Sequence, residues 1–297
     1  MSQYKPKYPV YVISKGRSDC CLTANFFIED GVDFKVVVEP QEAEKYQAKY
    51  GLERVLILPF SNLQMGSTPA RNWVWEHSKG LGAKRHWIFD DNIRAIRRLN
   101  QGKRIRCNAN IGLHFIEEFT DRYENIGISG FNYTMFVTSQ TQHPFQINCH
   151  VYSALLIDND MPYRWRLRYN EDTDLCLQVV TNKLCTVLFN AFTVDKLATM
   201  KMKGGNTDEL YQKDGRLVMA KVLERMWPDW VTVKWRFGRP QHVIKNSWKD
   251  FKTPLKRRTD VAWETLSEPK VNLKQLKETR NVSLRAFLRK YQETVDK

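Results

Sequence analysis

The sequence predicts an α/β protein, a doubly wound mixed sheet with a basic, mainly helical C-terminal extension. Three observations predict it. Over the first ninety residues short β-branched runs alternate with amphipathic stretches, the pattern of strands joined by helical crossovers. Strand-like runs then dominate the second half. Finally, of a formal net charge of +14, the last 64 residues carry 17 Lys and Arg against 7 Asp and Glu.

The elements follow in order. "YPVYVISKGR" predicts a strand over residues 10–13 that breaks at Ser14-Lys15-Gly16-Arg17, then a helix over about 18–29. "DFKVVVEP" predicts a second strand ending at Glu39; Pro40 suits the first turn of a helix through Ala43, Tyr46 and Tyr50 to Gly51. "RVLILPF" is the third strand. Thr68 is placed to cap a helix with Pro69 at its first position, ending at Gly80. "HWIF" is the fourth strand and delivers Asp90. Beyond it, "ENIGISG", "YTMFVTS", "INCHVYSALLI" and "CTVLFNAFTV" read as strands, and "NEDTDLCLQVV" opens a helix. "KDFKTPLKRRTD" reads as a loop leading into a C-terminal helix near "LKQLKETR" and "LRAFLRKYQ". The expected division is a domain over 1–233, with halves of about 1–100 and 101–233, followed by a basic segment over 234–297.

With 297 residues and 42% hydrophobic content, the chain can bury a large core without staples. The longest apolar runs fall far short of the roughly 18 residues that span a bilayer, and "MSQYKPKYPV" has no apolar signal core. The six cysteines (20, 21, 107, 149, 176 and 185) show no metal-ligand spacing. Reduced thiols, a cytoplasmic location and no membrane partner are the expectations; the oligomeric state is not legible. The basic tail interleaves its charge with Trp235, Phe237, Trp248, Phe251, Trp263, Phe287 and Tyr291, a composition suited to nucleic acid or, alternatively, to a solvated helical surface.

Ligands of a doubly wound sheet bind beyond the carboxyl ends of its strands. Ser14, Lys15, Gly16, Arg17, Glu39, Arg71, Asn72 and the Asp90-Asp91-Asn92 run are therefore expected in one crevice. Adjacent carboxylates at a strand end suit an oxygen-ligated divalent cation bridged to a diphosphate; Asp-Asp-Asn is equally good turn chemistry. Arg71, in the first turn of a helix, suits an anion or, equally, a solvent-facing position on an amphipathic helix. In "NEDTD", Asn170, Glu171, Asp172 and Asp174 can cap a helix, or one carboxylate can serve as general base. In "PYRWRLRYN", Arg164, Arg166 and Arg168 would share one face of a strand and steer a phosphate backbone.

In that order, Ser14 to Arg17, Glu39, Arg71-Asn72, "FDDNI" and "NEDTD" resemble the parts of nucleotide-sugar-dependent glycosyltransferases of the GT-A fold. More narrowly, the chain resembles the phage glycosyltransferases encoded beside TET/JBP-type base hydroxylases, which share a domain with growth-regulating oestrogen-response proteins of vertebrates. The resemblance runs from residue 9 to about 255 and includes "GRPQHVIKNSWKDF". It implies transfer of a sugar from a UDP-sugar to 5-hydroxymethylcytosine or another hydroxymethylpyrimidine in double-stranded DNA, with Mn²⁺ or Mg²⁺ as cofactor. Asp90 would then lie at the donor, Asp91, Asn92 and His242 at the metal, and Asp172 or else Glu171 would be the base. Asn92 departs from the acidic third position of the cation motif. The arginines at 164, 166 and 168, with Lys256, Arg257 and Arg258, would hold DNA, and "MKMKGGNTDELY" would be a loop hinged at Gly204-Gly205, with Lys201 and Lys203 for the departing diphosphate. A GT-A enzyme acting on glycan or protein, and a non-catalytic DNA-binding protein, are the alternative readings.

Overall fold

The computed structural model describes residues 4–141, 143–197, 215–236, 238–245 and 247–263. The expected loop "MKMKGGNTDELY" and the expected C-terminal helix lie outside them. Residues 1–256 form one compact unit; a second unit begins at Arg257. Within the described part of the latter, Arg258 grips Asp260 through Nε (2.9 Å) and Nη2 (2.6 Å), and Arg257 lies 4.5 Å over the Trp263 ring.

The first half follows the expected alternation: β1 (Val10–Ile13), α1 (Leu22–Asp30), β2 (Lys35–Val38), α2 (Ala43–Tyr50), β3 (Val55–Ile57), α3 (Thr68–Gly80) and β4 (Arg85–Asp90). Then come β5 (Ile93–Asn100), β6 (Lys103–Cys107), α4 (Ala109–Thr120), β7 (Ile126–Tyr133), β8 (Phe145–Ile147), β9 (Ala154–Asp158), α5 (Glu171–Thr181) and β10 (Cys185–Lys196). The unit closes with α6 (Gly215–Met226), β11 (Val231–Arg236) and β12 (Arg239–Ile244).

The main sheet has the order β3-β2-β1-β4-β9-β7-β10-β5-β6, with β8 also pairing β10. Its first four strands are parallel; β9 is antiparallel to both β4 and β7. The strand period of two sorts residues between its faces. Val10, Val12, Trp87 and Phe89 join the core that includes Phe27 of α1, Tyr46 of α2 and Leu113 of α4. Tyr11, Val37 and Ile88 join the opposite core, with Val74 and Trp75 of α3 and Leu175 and Val179 of α5. A third cluster packs Leu167 and Leu177 against Leu223, Val231 and Phe251. The boundary expected at 233/234 accordingly falls inside β11, in a hairpin whose Val231 is core.

Several expected elements differ. "YTMFVTS" is not a strand: β7 stops at Tyr133 and a 3-10 turn covers Thr134–Phe136. "INCHVYSALLI" divides into β8 and β9, because Asn148 (φ +53°) and Ser153 (φ +65°) adopt left-handed backbone. "PYRWRLRYN" forms no strand either. Its backbone is satisfied by side chains: Asn72 accepts from Trp165 N (3.1 Å) and donates to Trp165 O (2.9 Å), Gln178 donates to Arg164 O, and Thr68 to Leu167 O. Asn72 and Thr68 are thus used as pins between α3 and this segment, and Thr68 is not the cap of α3.

His86 of β4 is completely buried, bonded through Nδ1 to Asn159 Oδ1 (2.6 Å) and pushed down to about 4 by that burial. Below pH 6.5 the unfolded chain takes up a proton that folded His86 refuses until about pH 4, so acidification favours unfolding. Glu117, whose carboxyl burial pushes up to about 7, acts in the opposite sense over the same interval, so the check is a difference: in urea unfolding at stepped pH, the stability of the wild type relative to His86→Gln should fall by about 3 kcal/mol between pH 6.5 and 4.

Candidate active site

A cleft of about 560 Å³ opens at the carboxyl ends of β1, β2, β3 and β4 and is closed by the start of α5, by α6 and by β12. The parallel register sets Ile13 beside Asp90, which brings Ser14 against Asp91. Asp91 is nearly sealed: Ser14 Oγ donates to its Oδ2 (2.8 Å) and Arg17 Nη1 to its Oδ1 (2.5 Å). Burial pushes its carboxyl up, against the pull of Arg17 and Ser14. The strand-break loop is tied down by α2 and the turn before it: Gly16 N donates to Glu42 Oε1 (2.6 Å) and Arg17 N to the Tyr46 hydroxyl (3.1 Å), while Lys15 meets Glu39 (3.3 Å). Gly16, at φ +66°, is the residue that lets this loop turn.

Asp90 faces the cleft between two cations. Arg71 Nη2 reaches its Oδ1 and Lys196 Nζ its Oδ2, each at 2.8 Å. Burial alone would raise this carboxyl, but Lys196 and Arg71 bring it down to about 2. Lys196, the last residue of β10, also bonds Ser153 Oγ (2.6 Å) and the Tyr133 hydroxyl (3.2 Å). Burial disfavours its charge, yet Asp90 and these partners hold its proton more tightly than usual.

Arg71 is the most buried cation facing the cleft, at 4% exposure. Its Nε donates to Ser67 Oγ (3.0 Å), its plane lies 4.7 Å over Trp165, and its Nη1 is buried without a partner. Ser67 in turn donates to Glu171 Oε1 (2.8 Å). Burial pushes the Glu171 carboxyl up, opposed by Arg71. Gly66 brings Arg168 to the same wall: at φ +65°, a Cβ there would come within 2.5 Å of the Arg168 carbonyl oxygen. Arg168 Nε is buried and likewise unpartnered.

On the opposite side stands Asp172. Its Oδ2 is 3.3 Å from His150 Nε2, and Thr173 N donates to its Oδ1 (2.7 Å). Although burial would raise this carboxyl, His150 holds it well below the usual range. Trp248 stacks parallel on His150 at 6.0 Å. His242 of β12 approaches Thr173 Oγ1 (3.4 Å), and burial beside His150 lowers its pKa. Asn170 enters α5 in left-handed backbone and makes no cap, its side chain donating to Met219 O instead.

Of the residues expected from the sequence, Ser14, Lys15, Arg17, Glu39, Arg71, Asp90, Asp91, Asn92, Glu171, Asp172 and His242 line the cleft, as does Arg168, expected at DNA. Gly16 supports the loop from behind, and Asn72 faces the Trp165 backbone. Arg164 is taken by Glu76 (2.7 Å) and Trp75, and Arg166 by Asp174 (2.6 Å). Lys256 pairs with Glu124. Lys196, Tyr133, Ser153 and His150 were missed. A lysine closing the long strand "CTVLFNAFTVDK" is the one local signal that pointed to any of them.

The resemblance implies a divalent cation, and the ligand set does not fit one. Both carboxylate oxygens of Asp90 and both of Asp91 already serve cations or a hydroxyl; Asn92 Oδ1 is a neutral oxygen, buried without a partner. Among the described residues, no group of three or more His, Cys, Asp or Glu side chains is arranged to hold a metal ion.

The cleft at the parallel strand ends of this mixed sheet is lined by paired carboxylates and by cations, Arg71 buried among them, an arrangement suited to an anionic ligand. The chain belongs to the TET-Associated Glycosyltransferase family, whose model matches residues 8–205, and it is accordingly a glycosyltransferase. Among solved structures it is similar to a protein from Desulfovibrio desulfuricans G20 assigned as a nucleotide-diphospho-sugar transferase, with 10% identity, a TM-score of 0.37, and coverage of 62% of this chain and 80% of that one. No curated protein sequence matches it.

The Asp91 lock has a measurable consequence. Asp91→Ala strips Ser14 and Arg17 of a shared acceptor inside the fold, so urea unfolding should show a loss of about 3 kcal/mol or more. A residue that only held a ligand would leave unliganded stability unchanged.

Proposed function

We propose that the protein transfers a sugar from a UDP-sugar to a hydroxymethylpyrimidine in double-stranded DNA, with 5-hydroxymethylcytosine the first candidate. The observation that carries this reading is the place of Asp172, an ionised carboxylate held by His150 between the anion-binding wall and the β11–β12 hairpin. Donor and acceptor sides meet at that one group.

On the donor side, Arg71, Arg168 and Lys196 face the diphosphate, and Lys15, Arg17 and Glu39 border the nucleoside end. The acceptor oxygen attacks the anomeric carbon while the bond from that carbon to the diphosphate oxygen breaks. The electron pair leaves with the diphosphate, and the hydroxyl proton passes to Asp172. Direct displacement of this kind inverts the anomeric carbon. Glu171 stands on the donor side instead, its Oε1 accepting from Ser67 and lying 3.6 Å from Arg71 Nε, away from the group that meets the acceptor. No step is routed through a metal ion, for which no ligand group is assembled among the described residues.

For the acceptor side, the hairpin is the strongest support. Trp235 is 73% exposed, and Lys234, Arg236 and Arg239 around it are exposed as well. Arg236 pairs with Arg239 and Trp235 with Pro240 in the register that carries His242 back into the cleft. Cations for phosphates beside a ring for stacking suit DNA whose target base is drawn out of the helix. No helix among the described residues is long and apolar enough to cross a membrane, and all six cysteines are free. A phage-encoded enzyme working on DNA in the host cytoplasm accords with both.

The test is incubation with hydroxymethylated DNA and a panel of UDP-sugars, with Mn²⁺ and separately with EDTA, then digestion to nucleosides and mass spectrometry. A nucleoside carrying one added sugar is expected; no adduct from any sugar removes the DNA reading. Asp172→Asn should lower turnover at least about 100-fold with DNA affinity unchanged, and retained transfer would remove Asp172 as base. Trp235→Ala with Arg236→Ala should weaken DNA binding, measured by anisotropy, and flatten its salt dependence by about one phosphate contact.

A further inference from the structure

Asp90, expected at the donor beside the cation ligands, is already neutralised by two cations of the chain itself. Asp90 receives Arg71 on one oxygen and Lys196 on the other. Lys196 is held in place by three acceptors, Asp90, Ser153 and Tyr133, supplied by the ends of β4, β9 and β7, so it is a fixed charge. Two guanidinium nitrogens beside it, Arg71 Nη1 and Arg168 Nε, are buried without a partner, and both side chains line the cleft. An unpaired buried N–H is costly unless a ligand completes it, and a planar guanidinium fits a phosphate. A metal ion could reach Asp90 only by breaking two short charged contacts.

We propose that the Arg71–Asp90–Lys196 triad, together with Arg168, neutralises the donor diphosphate in place of a divalent cation, so that nucleotide binding does not depend on one. This rests on the UDP-sugar reading above. Arg71 and Arg168 donate their unpaired N–H groups to phosphate oxygens, and Lys196 offsets the charge of Asp90, which faces the same cleft, so that the cations prevail there. When the bond to the sugar breaks, the same cations hold the charge that develops on the leaving diphosphate.

The experiment is calorimetric titration of the wild-type protein with UDP in EDTA and again in Mn²⁺. Affinities within about threefold of each other are expected, a difference below 1 kcal/mol. Affinity that appears only with Mn²⁺, or rises more than about tenfold with it, overturns the proposal and leaves the UDP-sugar reading intact. No binding of UDP in either condition overturns both. Lys196→Met should weaken UDP at least about tenfold in EDTA, and Mn²⁺ should restore part of that loss because Asp90 is then free to take a metal. Should that variant fail to fold, Arg168→Met, on the surface of the cleft and outside the triad, should lose affinity equally in EDTA and Mn²⁺. Unchanged affinity in Arg168→Met would count against the proposal.

Discussion

The guanidinium of Arg71 is the contact on which the site depends. It rises from the first turn of α3, grips Asp90 at the end of β4, accepts the support of Ser67, approaches Glu171 at the start of α5, and lies over Trp165. Three stretches distant in sequence, around residues 67–71, 90 and 165–171, therefore meet on one planar cation. A buried guanidinium N–H left without an acceptor is costly, and Nη1 of Arg71 is buried without one. The fold thus holds open a demand for an anion in the place where parallel strand ends collect ligands.

Around that cation the two acidic motifs have separate roles. Asp91 is turned inward to lock the loop after β1, and Asp90 is turned outward between Arg71 and Lys196. In the second motif Glu171 belongs to the arginine side and Asp172 to the histidine side. Neighbouring residues in each pair thereby acquire different acidity: Asp90 is lowered and Asp91 raised, Asp172 lowered and Glu171 raised. Environment separates them, since a helix or strand end sends consecutive side chains to different surroundings. Two adjacent pairs of carboxylates thereby supply an inward lock at Asp91 and three further cleft-lining groups in different surroundings.

Much of this was legible locally. Strand and helix periods, Pro69, Gly16 and Gly51 are signals carried by a few neighbouring residues, and the β1 to β4 half of the sheet was read correctly from them. The helix α4 and the β5–β6 hairpin were not. Nor was the path of "PYRWRLRYN", whose alternation of arginine with apolar residues mimics a strand. There Trp165 and Leu167 are buried, yet the backbone hydrogen bonds go to Asn72, Gln178 and Thr68. Those partners lie far away in sequence, and no local pattern announces them.

The sequence by itself determined the class of fold, the crevice and the identity of most charged residues that line it, because strand ends converge by topology alone. It also determined that the surplus positive charge lies late in the chain. Only the tertiary structure decided what each charge does. Ion pairs form through space, so whether Asp90 faces a metal or a lysine, and whether an arginine faces DNA or a buried aspartate, depends on which side chains the sheet order brings within 3 Å. Lys196 reaches Asp90 across 106 positions of the chain, because β10 ends where β4 ends.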